Sequence, residues 1–502
     1  MIGFDTETYK DNRGVHRFLT FQIYSEDLGI AKVVYDINEI PSFFTRKTSK
    51  ALWFGFNIEF DITVLAQVLP GFGFEVKLVR SSSNAIMGKI IKGKRTWRIY
   101  DLKMITRASS LAKLGKTLGI EKLEKPSGLG STDFSKLDPL DERRKYFEEY
   151  ALNDAKICYH AGKWLMETFD KVKATIGSLA VYEFKKTIPK FMRFPQYPDT
   201  VLMKLRKAYR GGRVEVFVRG SPQGKIRYYD INSLYPYVMR EGVYPLISKN
   251  PMGRFVHKHD ANLDYEGIAL AWVQADFDIP PLGVKRRTKD GFERLVFPDG
   301  KIVDWFTYPE LRALEDYGGK ILKVIEAFEW KIMVKPFKDF IDKYYELKRR
   351  AEREGDKISR RMYKTLMNSL YGKFGEWKKG VIVDLTEYPN VRKEENLAGK
   401  HRWYHNVVYS AYTTAYARLH LWSYMRKIEP SKIYYCDTDS LIVDASVSLP
   451  VSDRLGEWKL EGETEYPRFT AIRSKFYIFD SAVKMRGFYI PGGAMLIRGL
   501  IA

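Results

Sequence analysis

KIYYCDTDSLIVD, residues 432–444, is two apolar runs separated by a short acidic tip, the pattern of a β-hairpin that carries Asp437 and Asp439 at its turn. Alone it reads as an ordinary acidic β-turn, because aspartates are common at turns. About two hundred residues upstream, in YYDINSLYP (228–236), a second apolar strand ends at Asp230. A strand end facing a hairpin tip would gather three carboxylates. Such a set can hold two Mg²⁺ ions, one activating a hydroxyl nucleophile and the other neutralising phosphate oxygens.

Between them lies KTLMNSLYG (364–372), on a predicted helix. Lys364, Asn368 and Tyr371 are four and three residues apart and share one face. That face offers a cation for phosphates, an amide for hydrogen bonds and a ring for stacking. Lys348, in ELKRR, can supply a second phosphate contact, although a basic helix is more often a solvated face.

The first third of the chain repeats the theme. Asp5 and Glu7 in GFDTETY are two apart, so on a strand both point to the same side. Asp61, in FNIEFD, lies at a strand-to-helix connection, and Asp154 is four residues after Tyr150 on a predicted helix. Four such acids suit two metal ions about 3.5–4 Å apart, with Tyr150 orienting an attacking water. Each acid taken singly is an unremarkable surface carboxylate or helix cap. Their order is what carries weight: Asp5 and Glu7, then Asn57, Phe60 and Asp61, then Tyr150 and Asp154.

Composition agrees with a polyanionic partner. In 502 residues, 84 Lys+Arg against 62 Asp+Glu leave a formal charge of +22. The 33 Tyr and 30 Phe add stacking surface, most of it expected in cores. Cys158 and Cys436 are far apart, which excludes a disulfide scaffold and a cysteine zinc site and fits a reducing cytosol. MIGFDTETYK lacks a signal-peptide pattern, and no apolar run approaches the ~20 residues that span a bilayer. A cytoplasmic chain, in a host cell's cytoplasm if viral, with no membrane partner is expected.

The length implies two to four domains. Alternating strands and helices predict an α/β unit over 1–198, including a linker, IPKFMRFPQYP, that holds three prolines. A second, α+β part then divides into 199–240, an irregular inserted subdomain at 241–330, a helical pair within 331–375, a polar insertion at 376–405, a strand-rich segment at 406–480 and a tail at 481–502.

The carboxylate sets now support a resemblance. The first resembles the three-part signature of DnaQ-like proofreading exonucleases of the ribonuclease-H type. DINSLYP, KTLMNSLYG and CDTDS, in this order, resemble the polymerase motifs of family B DNA polymerases. The resemblance implies a right-hand polymerase, with palm at 199–240 and 406–480, fingers at 331–375 and a reduced thumb at the tail. It implies Asp230 and Asp439 as principal metal ligands, with Asp437 supporting. Tyr235, beside Ser233 and Leu234, would lie beneath the deoxyribose, and Lys364, Asn368 and Tyr371 would bind the incoming dNTP. Ser369 and Gly372 would face DNA. Tyr209, Gly211 and Gly212 resemble the YxGG segment, Thr414 and Arg418 a TxxGR-like contact in which Ala417 replaces the usual Gly, and Lys475 and Tyr477 the KxY motif at the primer terminus.

The two insertions and FIDKYYELK are similar to the protein-primed branch of phages and related mobile elements. That branch implies Mg²⁺ (Mn²⁺ may substitute), primer–template and single-stranded DNA, strand displacement, a terminal protein as primer and a monomeric enzyme. It also implies an exonuclease-site lysine, for which Lys122 and Lys125 both qualify. Two other readings are a primer-independent polymerase of the same fold, and a DNA exonuclease or binding protein with a non-productive polymerase half.

Overall fold

A computed structural model of the chain describes residues 1–81, 84–126, 136–189, 192, 197–247, 253–257, 261–287, 291–376, 380–396, 404–485 and 488–490. The proline linker falls largely outside these residues, as does most of the tail. Among the described residues no helix is long and apolar enough to cross a membrane. The fold is mixed α/β, in two compact units, and neither is a continuous segment: 1–182 with 348–366 and 377–400, and 183–347 with 367–376 and 401–502.

The first unit is built on a nine-stranded sheet. Its spatial order is Arg392–Asn396, Gly380–Asp384, Glu75–Ser81, Asn84–Lys92, Arg95–Asp101, Trp53–Gly55, Ile2–Lys10, His16–Ser25 and Ile30–Val34. Ile2–Lys10, Trp53–Gly55 and Arg95–Asp101 run parallel, with other strands of the same sheet lying between them in sequence. The polar insertion adds its two strands to this sheet through antiparallel pairing of Gly380–Asp384 with Glu75–Ser81. Helix Glu142–Thr168, capped by the Asp141 side chain, buries Phe147, Ala151, Ala155 and Cys158. Its close approach explains Gly3, where an added Cβ would stand 2.0 Å from the Ala155 carbonyl oxygen. That approach brings Asp154 over the strand that carries Asp5 and Glu7.

The second unit has a five-stranded antiparallel sheet in the order Trp458–Glu465, Lys225–Ile231, Ser440–Asp444, Ile433–Asp437 and Val214–Val216. Period-two alternation splits its faces. Tyr229 and Ile231 pack with Leu421, Trp422 and Met425 of helix Val407–Met425, while Ile226, Tyr435, Ile442 and Tyr477 form a second cluster. The inserted subdomain is more regular than its Gly- and Pro-rich sequence suggests. It holds a four-stranded antiparallel sheet, Arg254–His257, Lys320–Trp330, Glu266–Ala275 and Gly300–Thr307, and helix Tyr308–Asp316. The predicted helical pair is present as Lys338–Arg353 and Lys357–Phe374. The segment after Arg468 forms a further four-stranded sheet, Phe469–Arg473 to Phe488–Ile490. Cys158 and Cys436 are buried free thiols.

Candidate active sites

In the first unit the four expected acids converge. Asp5 and Glu7 lie on strand Ile2–Lys10, Asp61 in the first turn of helix Glu59–Leu65, and Asp154 on helix Glu142–Thr168. Asp61 and Asp154 are buried. Burial, then repulsion from Asp61, Asp154 and Glu7, raises the Asp5 carboxyl well above its ordinary range. Burial pushes Asp61 up to about 7, although the Thr6 amide and hydroxyl donate to its Oδ1 at 3.1 and 2.7 Å. Asp154 is also raised by burial, and Lys122 pulls it back.

The two candidate lysines both reach the cluster. Lys122 pairs with Asp154 Oδ2 and lies 5.3 Å from the Tyr150 ring, while Lys125 Nζ is 3.3 Å from Glu7 Oε2. Tyr150 is buried, and its phenol is pushed up by burial and then by Glu7 and Asp154.

A residue outside the expected set completes this site. Asp101 is buried at the end of strand Arg95–Asp101, and its Oδ1 accepts from the amides of Asn57 and Lys103 at 2.9 and 2.8 Å. It holds Asn57 at φ 63°, in the left-handed region, and Lys103 Nζ donates to Asn57 Oδ1 at 3.0 Å. The signal was present as an aspartate between a strand and a helix start, a common cap pattern that by itself points to no chemistry. Beside it, Asn57, Phe60, His16, Gln67 and Tyr388 line an open cleft of about 540 Å³, with the His16 and Phe60 rings edge-on at 5.2 Å.

In the second unit the predicted hairpin forms, with Asp437 opposite Ser440 and a two-residue turn of Thr438 and Asp439. Ser440 is also opposite Asp230 on the neighbouring strand, and the Ile231 amide donates to the Asp439 carbonyl oxygen at 2.7 Å. The backbone pairing therefore places Asp230, Asp437 and Asp439 at one end of the sheet, all partly exposed. Lys475 Nζ pairs with Asp437 Oδ1, and the Lys475 amide donates to the Tyr435 hydroxyl at 2.9 Å. Lys459, opposite Asp230 on strand Trp458–Glu465, is an unexpected neighbour. Tyr235 stacks on Tyr371 with ring centroids 4.4 Å apart and planes 15° apart.

Among the described residues no three carboxylate, histidine or cysteine side chains stand close enough to hold a metal ion as they are. Lysines meet three of the acids instead. The donor chemistry of the first site nevertheless fits a cation. Asp154 Oδ1 is buried without a hydrogen-bond partner, and the four acids repel one another.

Comparison with known proteins now decides the family. Residues 137–446 match the profile of DNA polymerase type B, organellar and viral. That span includes Asp154, Asp230, Asp437 and Asp439, and more than half of the chain. The chain belongs to this family. It is a DNA-directed DNA polymerase of the organellar and viral type.

It is 28% identical over 473 residues to the DNA polymerase of Bacillus phage phi29, covering 85% of this chain and 78% of the relative. It is 27% identical to the DNA-directed DNA polymerase of Enterobacteria phage PRD1, covering 62% of this chain and 57% of that one. A probable DNA polymerase of Ascobolus immersus is 30% identical over 56% of this chain and 24% of its own. The fold matches phi29 DNA polymerase complexed with primer–template DNA and incoming nucleotide substrates. The TM-score is 0.76 at 21% identity, with 97% of this chain and 92% of that one covered.

Several motif residues of this polymerase sit differently from their expected solvent-facing roles. Leu234 is core. Thr414 and Arg418 are each 1% exposed; Thr414 Oγ1 donates to the Ala411 carbonyl and Arg418 pairs with Glu310, so neither presents a free polar group to DNA. Gly212, of the YxGG-like segment, is packed too closely for a side chain: a Cβ there would come 2.7 Å from Thr438 Cγ2. Tyr477 is buried against Tyr435 at 4.8 Å. Gly211, Gly372 and Lys364 are exposed, and Ser233, Tyr209, Lys348, Asn368, Ser369 and Tyr371 partly so.

Proposed function

We propose that Asp230, Asp437 and Asp439 hold the divalent ions of nucleotide addition and that Asp5, Glu7, Asp61 and Asp154 hold those of 3′→5′ degradation. The ion is Mg²⁺, with Mn²⁺ able to substitute. When bound, the ions supply a polarised nucleophile and charge stabilisation for in-line attack at phosphorus. The observation that supports this reading is the convergence of each acid set from separate segments of chain.

The chain's own residues do the rest. Backbone pairing brings Asp230, at the end of its strand, and Asp439, in the hairpin turn, to the same end of the sheet. Lys475 balances Asp437 and, with Tyr477, holds the primer terminus. Tyr235, stacked on Tyr371, lies beneath the deoxyribose and excludes a 2′-hydroxyl. Lys364, Asn368 and Tyr371 share the helix Lys357–Phe374 and bind the dNTP. Lys348, whose pKa is lowered by burial and by Lys364 and Arg360, gains a counter-charge when phosphates arrive. In the first unit Asn57 and Phe60 grip the strand end, Tyr150 orients water, and Lys122 holds Asp154. Ser369, Gly372, Gly211 and Tyr209 face the duplex backbone, which gives sequence-independent, salt-sensitive binding. The enzyme works as a monomer in the cytoplasm of its host, on primer–template and single-stranded DNA, and a terminal protein serves as primer.

The test is extension of a labelled recessed primer–template by the purified chain with Mg²⁺, with and without dNTPs. Elongation with dNTPs and 3′-shortening without them are expected. Shortening without elongation would leave the second site unproductive.

A further inference from the structure

We propose that Glu310, on the helix of the inserted subdomain, is a positioning residue for the polymerase carboxylates, acting through Arg418 on the backbone that holds the Asp437–Asp439 turn. The inference rests on the reading that these aspartates form the polymerase site.

The turn needs holding. Thr438, between the two aspartates, has φ 64°. A β-branched residue rarely adopts that conformation, and it persists where the surroundings over-determine it. Here the Thr438 amide donates to the Arg213 carbonyl at 2.7 Å, and Gly212 leaves room for the Thr438 side chain. The segment 210–213 is therefore the bed on which the turn lies.

Arg418 fixes that bed. Its Nη1 donates to the carbonyls of Arg210 and Gly211 at 3.3 and 2.8 Å, and its Nη2 donates to Glu310 Oε1 at 2.7 Å. Glu310 in turn is fixed by its own helix start. Its Oε2 accepts from the Thr307 amide and hydroxyl at 3.0 and 2.9 Å. Arg418 and Glu310 are each 1% exposed, so water does not compete for these bonds. On the same segment, Arg210 Nη2 lies 3.2 Å from Asp304 Oδ1, and Arg213 Nη1 donates to the Pro280 carbonyl at 2.8 Å.

Three arginines, Arg210, Arg213 and Arg418, and the Glu310 carboxylate are thus withdrawn from water around one short loop. Stability does not account for them, because desolvation offsets most of the attraction in a buried pair, and apolar residues of similar volume would pack as well. What such a network supplies is a single arrangement. Metal-ligating oxygens have to be held to within about 0.5 Å, and this relay runs in three steps from Glu310 to the backbone between the aspartates.

The test compares Glu310→Gln, Arg418→Lys and Arg312→Lys in the full chain. Primer extension gives kcat, KM for dNTP and the Mg²⁺ concentration for half-activity; degradation of single-stranded DNA and the thermal midpoint are read alongside. Glu310→Gln and Arg418→Lys should lower kcat at least about tenfold and raise the Mg²⁺ requirement, with KM for dNTP within about threefold. Degradation should stay within about twofold, since its residues belong to the other unit. Arg312→Lys, on the same helix as Glu310, loses bonds to the Leu263 and Tyr265 carbonyls and to Glu266 but touches no member of the relay, so it should lower the midpoint without moving kcat or the Mg²⁺ profile.

A lowered midpoint with unchanged kcat and Mg²⁺ profile in the first two variants would overturn the proposal. So would equal kcat losses in all three, or loss of folding together with degradation in both Glu310→Gln and Arg418→Lys. Failure of the wild-type chain to extend a primer would instead remove the reading on which it rests.

Discussion

The two carboxylate sites solve one problem in opposite ways. In the first unit Asp61 and Asp154 are buried, the acids repel one another, and Asp5, Asp61 and Asp154 are all raised by burial. In the second, Asp230, Asp437 and Asp439 are partly exposed, and strain sits in the backbone at Thr438. One site stores its cost in side-chain electrostatics and the other in turn geometry. The first should therefore respond to charge and pH, the second to whatever holds the backbone.

The largest expected effect separates the sites outright. Asp439→Ala should lower nucleotide addition by about 10³-fold or more while degradation of single-stranded DNA continues. Asp5→Ala should do the reverse. Extension and degradation gels on each variant decide it; loss of both activities in either variant would mean general misfolding rather than a site effect.

Next comes the sugar. Tyr235→Val removes the ring stacked on Tyr371 and should relax discrimination against ribonucleotides by roughly 10- to 100-fold, read as the ratio of kcat/KM for dNTP over NTP. An unchanged ratio would refute the steric role and leave Tyr235 as packing for Tyr371.

The lysines sharpen the electrostatic half of the comparison. Lys122 meets the buried Asp154, whereas Lys125 is about half exposed and stands 3.3 Å from Glu7. Exposed pairs contribute little and buried ones cost a great deal to break. Lys122→Ala should lower degradation about tenfold and Lys125→Ala less than about threefold. Equal losses would show that both act on the reaction rather than one on Asp154.

Much of this was legible in the sequence, and for a physical reason. A strand displays every second residue on one face and a helix every third or fourth, so Asp5 with Glu7, and Tyr150 with Asp154, had to share a side once the element type was known. Turn chemistry likewise announced the hairpin at Asp437–Asp439. The missed residues act through partners distant in sequence: Asp101 on Asn57, Glu310 on Arg418, Lys459 on Asp230. No local period reports such pairs. Thr414 and Arg418 show the converse, since a motif states that residues matter without saying whether they touch the ligand or hold what does. The inserted subdomain was misjudged as irregular because its Gly and Pro residues mark the ends of long strands as readily as loops.

The smallest effect tests the buried acids by their sign. Burial pushes Asp61 up to about 7 in the folded chain against an ordinary value of 3.8. Between those values the folded state binds more protons than the unfolded one, so stability falls as pH rises and levels off above about 7. Asp61→Asn keeps an oxygen for the Thr6 amide and hydroxyl but cannot ionise. In metal-free buffer the variant should match the wild type near pH 4 and become progressively more stable than it as the pH rises to 8. Urea unfolding across this range, with EDTA present, measures the difference. Adding Mg²⁺ at pH 8 should then stabilise the wild type more than the variant, because only the wild type gives the ion the extra carboxylate whose charge burial opposes. A gap between the two proteins that stays constant with pH would mean that Asp61 is already ionised at pH 4, and that the first site does not store its cost in charge.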